Sequence, residues 1–160
     1  MTSPVSIPAG HKLVGSDFDA YENLTAAWTA YTPTLTNLTQ GNGTVSANYR
    51  VAGKTLDLYF KFTLGTTSSV STSPAISLPS GMTMSTKYGQ FLDTPASGVL
   101  LNDTGTAARP GMLVMDQPNN RIVIGSLDVS AVFQNITSTV PHTWASTDVI
   151  SVSVMGIELT

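Results

Sequence analysis

Residues 44–64 alternate with little interruption. Val45, Ala47, Tyr49 and Val51 share one parity, and Thr44, Ser46, Asn48 and Arg50 share the other. After Ala52-Gly53-Lys54 the pattern resumes, with Leu56, Leu58, Phe60, Phe62 and Leu64 set against Thr55, Asp57, Tyr59, Lys61 and Thr63. Successive side chains of a strand point to opposite faces, so each run carries one apolar and one polar face. Two such runs joined by a short Gly-containing turn predict an antiparallel hairpin. Whatever this chain folds into must bury one side of that hairpin and present the other.

The remaining residues extend the same theme. Charged residues are 11% of the 160-residue chain, against roughly 25% in an average soluble protein. Their place is taken by 23 Thr and 18 Ser. Thr suits a pleated, half-exposed surface. Further strands are expected at Thr34–Leu38, Pro74–Leu78, Tyr88–Leu92, Ser97–Leu101 and Val129–Phe133, with a second hairpin of Met112–Met115 and Arg121–Gly125. Residues 65–73 read as a Ser/Thr loop. Near the end, Ile150, Val152 and Val154 alternate with serines before the apolar parity slips to Met155, Ile157 and Leu159, which predicts a β-bulge beside Gly156. About eight short strands with turn signals roughly every ten residues imply a jelly-roll-like antiparallel β-sandwich. Ahead of it, Pro4, Pro8 and Gly10 mark an extended arm. Ser16, Asp17 and Asp19 then cap a short helix to about Ala27, with Phe18, Tyr21 and Trp28 on one stripe. The expected organisation is an anchoring arm and helix over residues 1–30 and a β-sandwich over residues 31–160.

Several functional classes are disfavoured. The net charge is −3, and the seven Lys and Arg are scattered, so no basic stripe marks a nucleic-acid partner. Cysteine is absent, which removes disulfides and thiolate metal sites. The opening MTSPVSIPAGHKL lacks the charged-then-apolar pattern of a secretory signal, and no apolar run approaches the roughly 20 residues of a membrane helix.

Catalytic and metal sites have few candidates. His11 and His142 would have to converge with a carboxylate to do chemistry; isolated surface histidines are the expectation. Asp17, Asp19, Glu22 and Asn23 lack the Gly and terminal Glu of a calcium loop and read as helix-capping groups. Glycoside hydrolysis needs paired carboxylates; the two glutamates, Glu22 and Glu158, lie at opposite ends, and Asp93, Asp103, Asp116 and Asp148 sit in turn-like contexts. No nucleophile elbow or phosphate-cradling loop occurs. The chain is therefore expected to be no enzyme and to need no cofactor or metal. The five Asn-x-Thr sequons are attributed to chance in so Thr-rich a chain. Of the aromatic residues, Tyr59 is predicted on the outward face beside Lys61 and is the best single candidate for stacking on a sugar; core or subunit-interface roles compete for the rest.

Short motifs carry a family resemblance. Ala9-Gly10-His11-Lys12-Leu13 with Ser16-Asp17-Phe18 resembles the AGxxLTAxxLN arm-plus-helix of many tailed-phage virion proteins. Trp28-x-x-Tyr31-x-Pro33-x-Leu35, then Gly41-Asn42-Gly43-Thr44, Tyr49 and Gly53-Lys54-Thr55, is similar to a module of the same proteins. That module occurs in minor tail proteins, fibre tips and head decoration proteins of phages of Gram-positive, especially actinobacterial, hosts. Trp144-(x)3-Asp148-x-Ile150-x-Val152 also matches, with Thr147 where the family usually has Gly, and the family's closing GxYE is present only as Gly156-Ile157-Glu158.

The resemblance implies a β-sandwich, commonly homotrimeric and without enzymatic activity. It leads to the expectation of a virion structural protein, made in the bacterial cytoplasm and carried on the outer capsid surface. Its expected partners are its own copies (a homotrimer), the major capsid protein or tail proteins of the virion, and a host surface glycan. No shaft-like repeat is present, which favours a head decoration protein over the alternative, a minor tail or receptor-binding tip protein that binds host cell-wall carbohydrate. Val5, Ile7, Leu13, Phe18, Tyr21 and Trp28 are too apolar for a free tail, and are the expected anchors of the arm on the trimer or the capsid lattice.

Overall fold

A computed structural model describes residues 27–89, 95–105 and 107–160. The expected arm and short helix, and with them Val5, Ile7, Leu13, Phe18, Tyr21 and His11, lie outside the described residues. The described chain is antiparallel β throughout, with two short 3-10 turns. Its strands are β1 (Thr29–Ala30), β2 (Leu35–Thr39), β3 (Thr44–Ala52), β4 (Thr55–Thr63), β5 (Ser69–Ser77), β6 (Ala96–Asp103), β7 (Ala107–Asp116), β8 (Arg121–Leu127), β9 (Phe133–Asn135) and β10 (Val149–Glu158). They form one sheet in the order β1-β3-β4-β10-β6-β7-β8-β5-β2, and β9 shares the β5 side of β8.

The sheet curls until its two ends are served by one stretch of chain. Tyr31 N–H donates to Ala47 O (3.0 Å) on β3, and three residues later Thr34 O accepts from Ser77 N–H (3.0 Å) on β5. The β1–β2 segment thus leaves one edge of the sheet and joins the opposite edge. The Tyr31 ring meets Tyr49 edge-on, with centroids 5.6 Å apart. Its hydroxyl reaches Ser77 O at 3.4 Å, and burial pushes the phenol well above its usual pKa range.

The alternation of the central hairpin is realised as predicted. Leu56, Leu58, Phe60 and Phe62 are fully buried, facing a core completed by Ile150, Val152, Val154 and Ile157 of β10 and by Leu101, Leu113, Ile122 and Ile124. Each such large side chain contributes roughly 1.5–3 kcal/mol on burial, so this inward parity dominates the energetics of the sheet. β10 is an interior strand, paired with β4 on one side and β6 on the other. The predicted bulge is present: the β4–β10 register slips between Val154 and Ile157, and Gly156 takes φ +79°.

Four strand expectations are corrected. The Ser/Thr loop of residues 65–73 is shorter than read, because β5 already begins at Ser69. Hydroxyl side chains do not stop that stretch from pairing with β2, where Leu38 faces Val70. Tyr88 is not in a strand but in the 3-10 turn Thr86–Gly89; its hydroxyl accepts from Glu158 N–H (2.9 Å) and donates to Gly156 O (3.3 Å). Residues 90–94, the remainder of that expected strand, lie outside the described residues. The strand expected over Val129–Phe133 begins only at Phe133. Before it, Asp128 accepts from Ser130 N–H and Val132 N–H, both at 2.8 Å, and this turn leaves Val129 fully exposed. The second hairpin is as read, but β7 starts earlier, at Ala107. Among the described residues no helix is long and apolar enough to cross a membrane.

Candidate binding site on the outer sheet face

Because Leu58 and Phe60 point inward, Asp57, Tyr59 and Lys61 of β4 must point outward. Register then fixes their neighbours. Asn48 of β3 and Ser153 of β10 flank Tyr59; Ser46 and Ser151 flank Lys61; Arg50 lies opposite Asp57. Thr29 pairs with Tyr49, so Trp28 falls beside Arg50 on the same outer face. Trp28, Asn48, Tyr59 and Ser153 enclose an open recess of about 410 Å³.

The indole is held by a chain of contacts that begins at the bulge. Gly156 N–H, turned out of the ladder, donates to Asp57 Oδ1 (2.9 Å). Asp57 Oδ2 accepts from Arg50 Nε (2.8 Å), and the Arg50 guanidinium lies over the Trp28 ring, 5.1 Å from its centroid. Such a cation–π contact contributes about 0.5–1 kcal/mol at an exposed site. Trp28 nonetheless remains 45% exposed.

Two other places bring titratable groups together. A recess of about 490 Å³ is lined by Tyr88, Asp116, Arg121 and Phe133, among others. Burial pushes the Asp116 carboxyl up, but hydrogen bonds from Asn119 and Arg121 outweigh this and leave it below its ordinary value. It is paired with Arg121 at 2.6 Å and closes the β7–β8 turn, as its turn-like sequence context suggests.

The second place is His142, expected at the surface, which is buried instead, beside Asp148 and with its ring 4.3 Å from that of Trp144. The physical reason is the loop before β10. Trp144 Nε1–H donates to Thr137 O (3.0 Å), folding residues 137–144 over the histidine. Asp148, although it closes a turn by accepting from Ala145 N–H (2.8 Å), also reaches across to Thr104 N–H and Oγ1, both at 3.1 Å. Among the described residues there is no group of three or more His, Asp or Glu placed to hold a metal ion.

The structure thus places Tyr59 on the outward face, as predicted, and brings it together with Trp28, which sequence reading assigned to anchoring. Sequence reading missed Asn48, Ser153 and the Arg50–Asp57 pair. All four lie on the polar parity of their strands, and the signal that could have found them is the hairpin register carried one strand further, to β10.

No family model, curated protein or solved structure matches the chain.

Proposed function

We propose that the chain is a non-enzymatic structural protein of a bacteriophage virion, a decoration protein on the outer surface of the head. In this reading residues 31–160 form a jelly-roll-like sandwich, residues 1–30 attach it to the capsid lattice, and three copies associate. The observation that carries the reading is how the stretch from β1 to β2 is held at both edges of the sheet. From Ala27 the chain runs straight onto the sheet edge at β3 and is then locked into the far edge at β5. The β1–β2 stretch is thus fixed to the sheet at both ends, an arrangement that suits a domain attached through the chain ahead of it.

Two further features support a passive role. Among the described residues, the nearest approach to an acid–base pair, His142 with Asp148, is shut from solvent, with side chains 6% and 2% exposed. Arg50, Lys87 and Arg121 are tied to Asp57, Glu158 and Asp116, leaving a surface rich in neutral hydroxyls. The family resemblance of the Trp28–Thr55 and Trp144–Val152 motifs points the same way.

Immunogold electron microscopy of virions tests the station: label over the heads is expected, and label confined to tails or absent from particles overturns it. Sedimentation equilibrium of the purified chain should give three times the monomer mass of 16.8 kDa, and a monomer at every concentration overturns the trimer.

A further inference from the structure

We propose that the recess between Trp28 and Tyr59 is a carbohydrate-binding site that seats one pyranose ring of a neutral polysaccharide. The proposal does not depend on where in the virion the chain sits.

A pyranose has an apolar C–H face and a rim of hydroxyls. A site for it needs an exposed aromatic plane beside polar groups that have no other partner. Both are present. Trp28 leaves 45% of its surface in solvent, while Arg50, itself held by Asp57 and Gly156, fixes the ring from one side. Around the recess stand the Asn48 amide, the Tyr59 hydroxyl and the Ser153 hydroxyl, which together offer donors and acceptors in the mixture a sugar diol requires. Among the described residues, none is bonded to these three side chains. Some amides of the chain are committed internally, Asn37 to Thr72 O, Asn42 to Thr66, Asn119 to Asp116 and Asn120 to Met82 O, whereas Asn48 keeps its amide free beside an exposed indole.

Size and charge narrow the ligand. A recess of about 410 Å³ is near the small end of ligand sites, enough for one ring and its substituents. The four lining residues are uncharged and Arg50 and Asp57 pair with each other at the rim, so the recess itself holds no charged group to select an ionic sugar; Lys61 stands beyond Tyr59 along the same face. Beyond Ser153 the floor continues to Gly98, where an added Cβ would meet nothing within 4 Å. The recess is therefore open along the sheet, with room for the next residue of a glycan chain. Its nearest carboxylate, Asp57, is occupied by Arg50 and by Gly156 N–H, so the site holds a sugar without cleaving it.

Titration of the full-length, isotope-labelled chain with chitotriose, maltotriose, mannotriose and lactose, followed by NMR, tests the proposal. At least one probe is expected to shift the Trp28 indole and Asn48 amide signals, with a Kd of about 1 mM or tighter. Trp28→Ala and Tyr59→Ala should each weaken that binding about tenfold or more. Ser153→Arg, which fills the recess and leaves both aromatics in place, should abolish it, and Asn135→Ala on the distant β9 should not change it. The proposal is overturned if no probe shifts these signals at about 20 mM, or if binding survives Trp28→Ala and Ser153→Arg. It is equally overturned if the face proves to be covered by a second copy, seen as an oligomer that Trp28→Ala dissociates and that no probe perturbs.

Discussion

His142 Nε2 lies 3.4 Å from Asp148 Oδ2, and yet neither ring nitrogen of His142 has a hydrogen-bond partner. The contact does not make a hydrogen bond, and the carboxylate's hydrogen bonds come from Thr104 and Ala145. The two residues should therefore respond very differently to substitution. Asp148→Ala strands three donors on two loops and is expected to cost about 3 kcal/mol or more. His142→Phe replaces a buried ring whose nitrogens bond nothing, and should be neutral within about 1 kcal/mol or stabilising. Urea unfolding of both variants checks the asymmetry; equal losses would mean that the histidine, not the Thr104 clamp, is the important partner.

The residue just before Asp148 is strained. Thr147 has φ +76°, a left-handed conformation that a β-branched side chain rarely adopts, and it is held there because its N–H donates to Leu64 O at 2.8 Å. Gly is at home in that region. Thr147→Gly should raise stability by about 1 kcal/mol: relief of strain exceeds the added chain entropy and the lost 2.9 Å contact with Thr104 Oγ1. A lowered Tm would refute this account.

Gly41 and Gly53 share a positive φ, +53° and +61°, but not their surroundings. A Cβ at Gly41 would sit 2.4 Å from Thr67 O, whereas one at Gly53 would meet nothing within 4 Å. Gly53→Ala should cost about 1 kcal/mol, the conformational term alone. Gly41→Ala adds a clash with backbone, and should cost about 3 kcal/mol or more by denaturant unfolding.

Tyr31 should give stability an alkaline dependence. Its folded pKa is raised because burial disfavours the phenolate. The contribution is therefore complete below the unfolded value of about 10 and is lost as pH climbs from there toward the folded pKa. The Tm of the native chain minus that of Tyr31→Phe should be constant from about pH 7 to 9 and fall above pH 10. A flat difference would show that the phenol is solvated.

How much of this was legible in the sequence followed physical range. The inward row Leu56, Leu58, Phe60 and Phe62 was readable because alternation is a local property, and the Gly156 bulge was readable as a slip in that alternation. Tyr88 was misread because its place is set by hydrogen bonds to Gly156 and Glu158, far away along the chain. His142 was misread for the same reason, its burial depending on a loop folded back by Trp144. The recess was half legible: Tyr59 could be placed outward, but its meeting with Trp28 needs the β1–β3 register, which two residues of strand do not announce.

The crossing between the two sheet edges also gives the molecule a preferred place to yield under load. A pull on the chain ahead of Ala27 falls first on β1, whose two residues are paired to β3 alone. β1 can separate without breaking any pair of β10, which is enclosed between β4 and β6. Peeling stops where Tyr31 is tied to both edges. A tethered molecule would in this way absorb a tug by releasing a few residues and opening the Trp28 recess, and would recover its shape when the tension falls.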